Sequence, residues 1–315
     1  MVSWDGMADG FLRQCQTRGL SPATIKTRER ELDRWGIWMK RRRPKIDIET
    51  VAGEQIVDYI RARTKFRSKR TVASTMSVLR CMGAYLVQEG VWQKNPLQWI
   101  KGPRIDPRSQ LPKRIAGSDM EKLWKTAAQD TQAYRRQLLL AMLGTLYSTG
   151  LRRGELVRLS LSDWNAEEGL FKLDGRKTGR ERILPVALPV KQCIESYLPL
   201  RHNQLAKAGR HEESAMFVNR SGHRLKGEGV GRILHRLAKD AETPAVTPQC
   251  FRHTCASDLL ASGVPLPRVQ EMLGHATLVT TMRYIHVADP ERRKAIDKHP
   301  INEMMAACLP QGDRQ

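Results

Sequence analysis

No two of the six cysteines (Cys15, Cys81, Cys193, Cys250, Cys255, Cys308) stand in a CxxC pair, and no secretory signal precedes them. Neither a disulfide framework nor a zinc knuckle is expected, and the thiols read as reduced. Long apolar runs are missing as well. The longest, LLLAMLGTLY at 138–147, is about half of the roughly 20 residues that a membrane-spanning helix needs, and reads as a buried core helix. The opening MVSWDGMADG carries acids and no apolar signal core, so no membrane association and a cytoplasmic, nucleoid-associated location are expected. No period of 20–50 residues recurs, which argues against solenoids and propellers. Acids are few: 33 Asp and Glu stand against 54 Lys and Arg, a net charge of +21. Such a surplus repels itself unless a polyanion offsets it, which makes nucleic acid the first partner to consider.

The charge is uneven along the chain. Residues 1–105 carry +11 and the remaining 210 carry +10, and a length of 315 residues suggests two domains. KGPRIDPRSQLPKR at 101–114 has three prolines, five cations and no helical periodicity. It reads as a basic linker. The expected division is a helical DNA-binding domain at 1–104, a linker at 105–114 and a second domain at 115–315. In the first domain, Ser21 and Pro22 open a helix that places Ile25, Arg28, Leu32, Trp35 and Met39 near one face. Another begins at Ser68, carries Val72, Met76, Leu79, Met82 and Leu86, and stops at Gly90. Between them, RARTKFRSKR packs Arg61, Arg63, Lys65, Arg67, Lys69 and Arg70 into ten residues. This is either a solvated charged loop or, beside a basic domain, a phosphate-contacting surface to which Arg104 and Arg108 of the linker would add.

Past the linker, helical patterns are predicted at 118–129, 133–148, 153–159, 189–206, 226–240, 248–262, 265–273 and 277–288. LFKLDGRKTGRERILPV at 170–186 breaks the series and reads as two strands around a glycine-containing turn, with Ile183, Leu184 and Val186 on the second. The fold class is therefore mainly α with a small antiparallel β-sheet. Near the end, INEMMAACL spaces Ile301, Met304, Met305 and Cys308 as a short apolar helical face.

Several polar residues stand out. In STGLRRGELVRL, Arg152 sits at a helix start with Glu155 three residues on, a spacing that also makes an ordinary surface pair. In TPQCFRHTCASDLL, Gln249 and Arg252 share a face of a helix opened by Thr247 and Pro248, and His253 follows. In LGHATLVTTMRYIHV, His275 follows a glycine, and Tyr284, one of only six tyrosines, stands between Arg283 and His286. That ring serves either chemistry or packing.

Taken in order, TGLRRGEL, GRKTGRERILP, FRHTCASDLL and LGHATLVTTMRYIHV resemble the motifs of the tyrosine recombinases, the integrase and Xer-like family that cuts and rejoins DNA. The motifs span 149–287, and the helical N-terminal segment resembles the family's SAM-like core-binding domain. The resemblance implies a catalytic domain in which Tyr284 is the nucleophile, Arg152, Arg252 and His275 hold the scissile phosphate, and Lys177 protonates the leaving 5′ oxygen. Arg176 and Arg180 share the turn of Lys177. Glu155 and His253 would support the arginines. Gln249 departs from the pattern, standing where the family has histidine or sometimes lysine, and a neutral amide cannot take a proton near neutral pH.

The chemistry fits these residue types. Phosphodiester cleavage needs a nucleophile, cations on the nonbridging oxygens and a proton for the leaving group. Guanidiniums stay charged and bind oxygens bidentately, and neighbouring cations stabilise a phenolate that otherwise forms near pH 10. The sequence shows no acid and histidine cluster at metal-ligand spacing, so no metal and no cofactor are expected. The implied partners are double-stranded DNA, held between the two domains, and three further copies in a homotetramer on two synapsed sites, together with a partner recombinase or accessory proteins. The tail face would either fold back on its own domain or, as the resemblance implies, dock on a neighbouring copy. Two other readings are a type IB topoisomerase and a non-catalytic DNA-binding protein with a decayed site.

Overall fold

The computed structural model describes residues 3–42, 46–65, 67–104, 113–173, 181–274 and 296–306. The chain divides into two compact units, 1–110 and 111–315. The first holds α1 (Trp4–Thr17), α2 (Pro22–Arg41), α3 (Gly53–Thr64) and α4 (Lys69–Gln88). Ser21 and Ser68 cap α2 and α4 by accepting the backbone N–H groups of Thr24 and Thr71 at 3.3 Å. The faces predicted for these helices meet in one core, where Leu32, Trp35, Leu79, Met82 and Leu86 are fully buried and Trp4, Tyr59 and Trp92 pack around Trp35.

The cation-rich stretch at 61–70 is not a single loop, because its ends belong to α3 and α4. Glu31 explains part of the difference. It is buried between helices, accepts the Tyr59 hydroxyl at 2.7 Å, and draws Arg63 to 3.4 Å and Arg34 to 3.3 Å. A buried carboxylate is tolerated only with such partners.

The second unit is built around α6 (Ala133–Thr149), in which every residue from Leu138 to Thr149 is buried. A helix apolar all round belongs at the centre. It packs against α5 (Gly117–Ala128), α8 (Leu188–Lys207) and α10 (Pro248–Ala261). The short α7 (Arg153–Leu156) follows α6 and is shorter than the predicted 153–159. The remaining helices are α9 (Gly227–Asp240), α11 (Leu266–Leu273) and α12 (Ile301–Ala306). The hairpin is present as β2 (Leu170–Leu173) and β3 (Arg182–Pro185), and an unforeseen two-residue strand, β1 (Trp164–Asn165), completes an antiparallel sheet of order β1-β2-β3. Phe171 pairs with Leu184 and both face the core. The helix predicted at 277–288 lies outside the described residues.

The described part of the tail takes the first of its two readings. Ile301 and Met305 are fully buried within their own unit, where α12 packs on α6 and α8. Burial against a neighbouring part of the same chain needs no partner copy. Cys308 lies outside the described residues. Ahead of α12, the buried His299 sets its ring edge-on to Tyr147 at 4.4 Å and accepts the Ile301 backbone N–H at 3.1 Å through Nδ1. Tyr147 donates to Asp258 at 2.6 Å, and Asp258 pairs with Arg114.

Burial lowers the His299 pKa to about 4. The unfolded chain, with an imidazole near 6.5, therefore takes up the proton first as pH falls. The stabilisation is complete above that value and is lost on descent toward 4, amounting to about 2 to 3 kcal/mol by pH 4.5. Urea unfolding of the parent and His299→Phe between pH 7.5 and 4.5 should show the parent losing this much more stability than the variant. Parallel losses would refute it.

Candidate functional site

Two glycine-ended helices create the site. Gly150 ends α6 at φ 61° and Gly274 ends α11 at φ 63°, both in the left-handed region that suits glycine. Such ends leave backbone carbonyls without helical partners, and Arg252 takes up two of them. Thr247 and Pro248 start α10, which carries Arg252 inward one turn later. Its guanidinium donates to the Gly150 carbonyl at 2.7 Å and to the Leu273 carbonyl at 2.6 Å. Only 3% of the residue is exposed. Burial, with the charges of Arg152 and Arg182 and against the pull of Glu155, brings its pKa down to about 10, so it remains a cation near neutrality.

Arg152 caps α7 with extended backbone. Its backbone N–H donates to Glu155 Oε2 at 2.8 Å, its Nη1 to Glu155 Oε1 at 3.0 Å, and its Nη2 to the Gly274 carbonyl at 3.3 Å. The Arg152 and Glu155 pair is thus not the ordinary surface pair that its spacing allows, because Glu155 is only 8% exposed. A third guanidinium explains how the carboxylate stays charged there. Arg182, at the start of β3, donates from Nη2 to Glu155 Oε2 at 2.9 Å. Burial opposes ionisation of Glu155, but the Arg152 backbone hydrogen bond, the Arg182 charge and the Arg152 side chain outweigh it and hold its pKa below the usual carboxylate value.

Sequence reasoning missed Arg182. A signal was available: Arg182 and Leu184 are two residues apart on one strand and share a face, and Leu184 is in the core. A cation on an inward strand face requires a buried acid.

Gln249 and His253 lie one turn apart on α10, with Gln249 Nε2 3.1 Å from His253 Nε2. The amide nitrogen can only donate, so the imidazole nitrogen accepts and is unprotonated. Partial burial and the charge of Arg252 lower the His253 pKa in the same direction. The structure therefore gathers Arg152, Glu155 and Arg252 with Arg182, and pairs Gln249 with His253 on the helix that bears Arg252. Lys177, His275 and Tyr284 lie outside the described residues.

The basic residues of the first unit differ among themselves. Arg61, Lys65, Arg67, Lys69, Arg70 and Arg104 are exposed, and Arg61 stands 3.7 Å from Asp58. Arg63 is turned to Glu31 with its side chain only 19% exposed, which removes it from an outward phosphate-binding face. Arg108 lies outside the described residues. Among the described residues, no group of three or more His, Cys, Asp or Glu side chains could hold a metal ion, and no helix is long and apolar enough to cross a membrane.

Comparison with known proteins agrees along most of the chain. Residues 113–291 match the phage integrase family, and residues 8–90 match the phage integrase N-terminal SAM-like domain. The chain is 35% identical over 273 residues to tyrosine recombinase XerD of Listeria innocua serovar 6a, covering 86% of this chain and 90% of that protein. It is 33% identical over 292 residues to tyrosine recombinase XerC of Thermodesulfovibrio yellowstonii, covering 91% and 93%. The fold is similar to the Tn1549 transposon integrase in complex with transposon right-end DNA, with a TM-score of 0.67, 19% identity and coverage of 92% of this chain and 97% of that one. It is also similar to a lambda integrase tetramer bound to a Holliday junction, with a TM-score of 0.65, 18% identity and coverage of 91% and 81%. With the catalytic match alone covering more than half of its length, the chain belongs to the phage integrase family, the tyrosine recombinases.

Proposed function

We propose that the chain is a site-specific DNA recombinase whose Arg152 and Arg252 grip the nonbridging oxygens of one scissile phosphate. The observation that carries this is the meeting of the two guanidiniums: both are tied to the end of α11, at Gly274 and Leu273, from positions 100 residues apart in sequence. Each uses two side-chain nitrogens on protein acceptors, and a guanidinium has five N–H groups, so donors remain for phosphate. In the reaction, Tyr284 Oη bonds to phosphorus as the bond to the 5′ oxygen breaks. The phenol proton leaves to solvent or another acceptor, Lys177 supplies a proton to the departing oxygen, and His275 donates to the phosphate. The 3′-phosphotyrosyl bond stores the energy of the broken one, and a 5′ hydroxyl from a second duplex reverses the step without ATP. Glu155 and His253 hold Arg152 and Gln249.

The exposed Arg61, Lys65, Arg67, Lys69, Arg70 and Arg104, with Arg108, would contact backbone phosphates. Relatives that bear the name tyrosine recombinase support the activity, and a similar fold in a tetramer on a Holliday junction supports a homotetramer on two sites, open to a partner recombinase or accessory proteins. We place the enzyme in the cytoplasm, at the nucleoid. The test is to recover DNA covalently attached to the protein in cells, sequence it, and show that a nicked duplex of that sequence traps the purified protein. A protein that binds this duplex yet never forms a covalent species would be the non-catalytic alternative. Relaxation of plasmid lacking the site would favour the topoisomerase reading.

Gln249 is assigned to orienting the phosphate rather than taking a proton. Gln249→Ala should slow single-turnover cleavage roughly 3- to 30-fold, the loss of one hydrogen bond. Gln249→His should be at least as fast as the parent near neutral pH. A dead alanine variant, or a histidine variant far slower than the parent, would make the amide an essential specialised group.

A further inference from the structure

We propose that Arg182 is a positioning residue that keeps the Arg152 guanidinium open to phosphate by sharing the charge of Glu155. The inference rests on the recombinase reading above. Glu155 is buried among three guanidiniums, and its two oxygens are divided: Oε1 takes Arg152 Nη1, while Oε2 takes the Arg152 backbone N–H and Arg182 Nη2. Three cations and one carboxylate leave the cluster at +2. Without Arg182 the cluster falls to +1, and the carboxylate has no side-chain ion pair besides Arg152. A fork-shaped guanidinium facing an underpaired carboxylate closes on it bidentately, and those are the donors that phosphate needs.

Arg182 has a second contact with the same purpose. Its guanidinium occupies the place where a β-carbon on Gly274 would stand, and the Gly274 carbonyl accepts Arg152 Nη2. Gly274 immediately precedes His275. Arg182 therefore braces, from the start of β3, both Arg152 and the residue that precedes His275 in sequence. The residue combination asks for glycine at 274 twice over, once for φ and once for space.

The experiment measures single-turnover cleavage at saturating duplex, using a nicked duplex of the sequence recovered from the parent's covalent complexes, together with duplex affinity and thermal unfolding. Arg182→Gln should cleave roughly 10- to 100-fold more slowly, the effect of losing a charge-assisted hydrogen bond, with affinity for the duplex changed far less. Arg182→Lys, which keeps the charge without the fork, should fall between parent and Arg182→Gln. The deciding variant is the double Glu155→Gln/Arg182→Gln, which returns the cluster to +2. It should cleave several-fold faster than Arg182→Gln, or restore cleavage should the single variant fail to fold.

A folded double variant as slow as or slower than Arg182→Gln would overturn the proposal, since a purely structural arginine gives no such rescue. Parental cleavage by Arg182→Gln would overturn it as well. Failure of the parent itself to form a covalent complex is a different result, and defeats the recombinase reading instead.

Discussion

Tyr284→Phe is expected to form no covalent complex with a nicked duplex bearing the site, while its affinity for that duplex changes by no more than about tenfold, the value of one hydrogen bond. The substitution removes only the oxygen that becomes bonded to phosphorus. The other tyrosines sharpen the assignment. The five that the structure describes, Tyr59, Tyr85, Tyr134, Tyr147 and Tyr197, all have pKa values held above the ordinary phenol value, with burial as the first cause in each. Tyr59 and Tyr147 also donate to the carboxylates of Glu31 and Asp258, which opposes ionisation further. A phenol harder to ionise is a poorer nucleophile. The cationic cluster of Arg152, Arg182 and Arg252 offers the opposite environment. Denaturing electrophoresis of the trapped complex, followed by identification of the peptide that carries the nucleotide, decides the matter. A phosphotyrosyl species formed by the Phe variant would show that another residue attacks.

Much of this arrangement is local enough to be legible in the sequence. Ser21 with Pro22, Ser68, and Thr247 with Pro248 are helix openings whose hydrogen bonds close within four residues. Gly150 and Gly274 are helix ends for the same reason. Arg152, Glu155, Gln249 and Arg252 each lie near such an end, although only the family resemblance implies that they meet. What stayed hidden depends on contacts across the chain. The burial of Glu155 follows from Arg182, 27 residues on. Arg63 turns inward because Glu31 is buried 32 residues earlier, and a run of cations cannot show which member an acid will claim. The tail pattern pointed to an apolar face, of which Ile301 and Met305 are buried, but not to its cover, since α6 and α8 serve as well as another copy would.

The identity of Arg252 carries the second large effect. Arg252→Lys keeps a positive charge, but a single ammonium cannot reproduce the two-nitrogen fork that reaches both Gly150 and Leu273. Leaving a buried carbonyl unpaired costs about 1 to 3 kcal/mol of stability, and a misplaced phosphate donor slows cleavage by about 100- to 1000-fold. The remaining activity should also acquire a fall at high pH that the parent lacks. The surroundings that lower the Arg252 guanidinium would lower a lysine as well, and a lysine starts from a lower ordinary value than a guanidinium.

The parent's cation is therefore constant from pH 6 to 9, and its cleavage should rise with pH as the Tyr284 phenolate becomes easier to form. In the variant the required cation is lost as pH rises through its lowered pKa, so cleavage should level and then fall toward the alkaline end of this range. Single-turnover rates of both proteins across this range, on the same nicked duplex, test the two effects together. A lysine variant within tenfold of the parent, or one slow but with the parent's rising profile, would mean that the guanidinium fork at 252 is not what holds the phosphate.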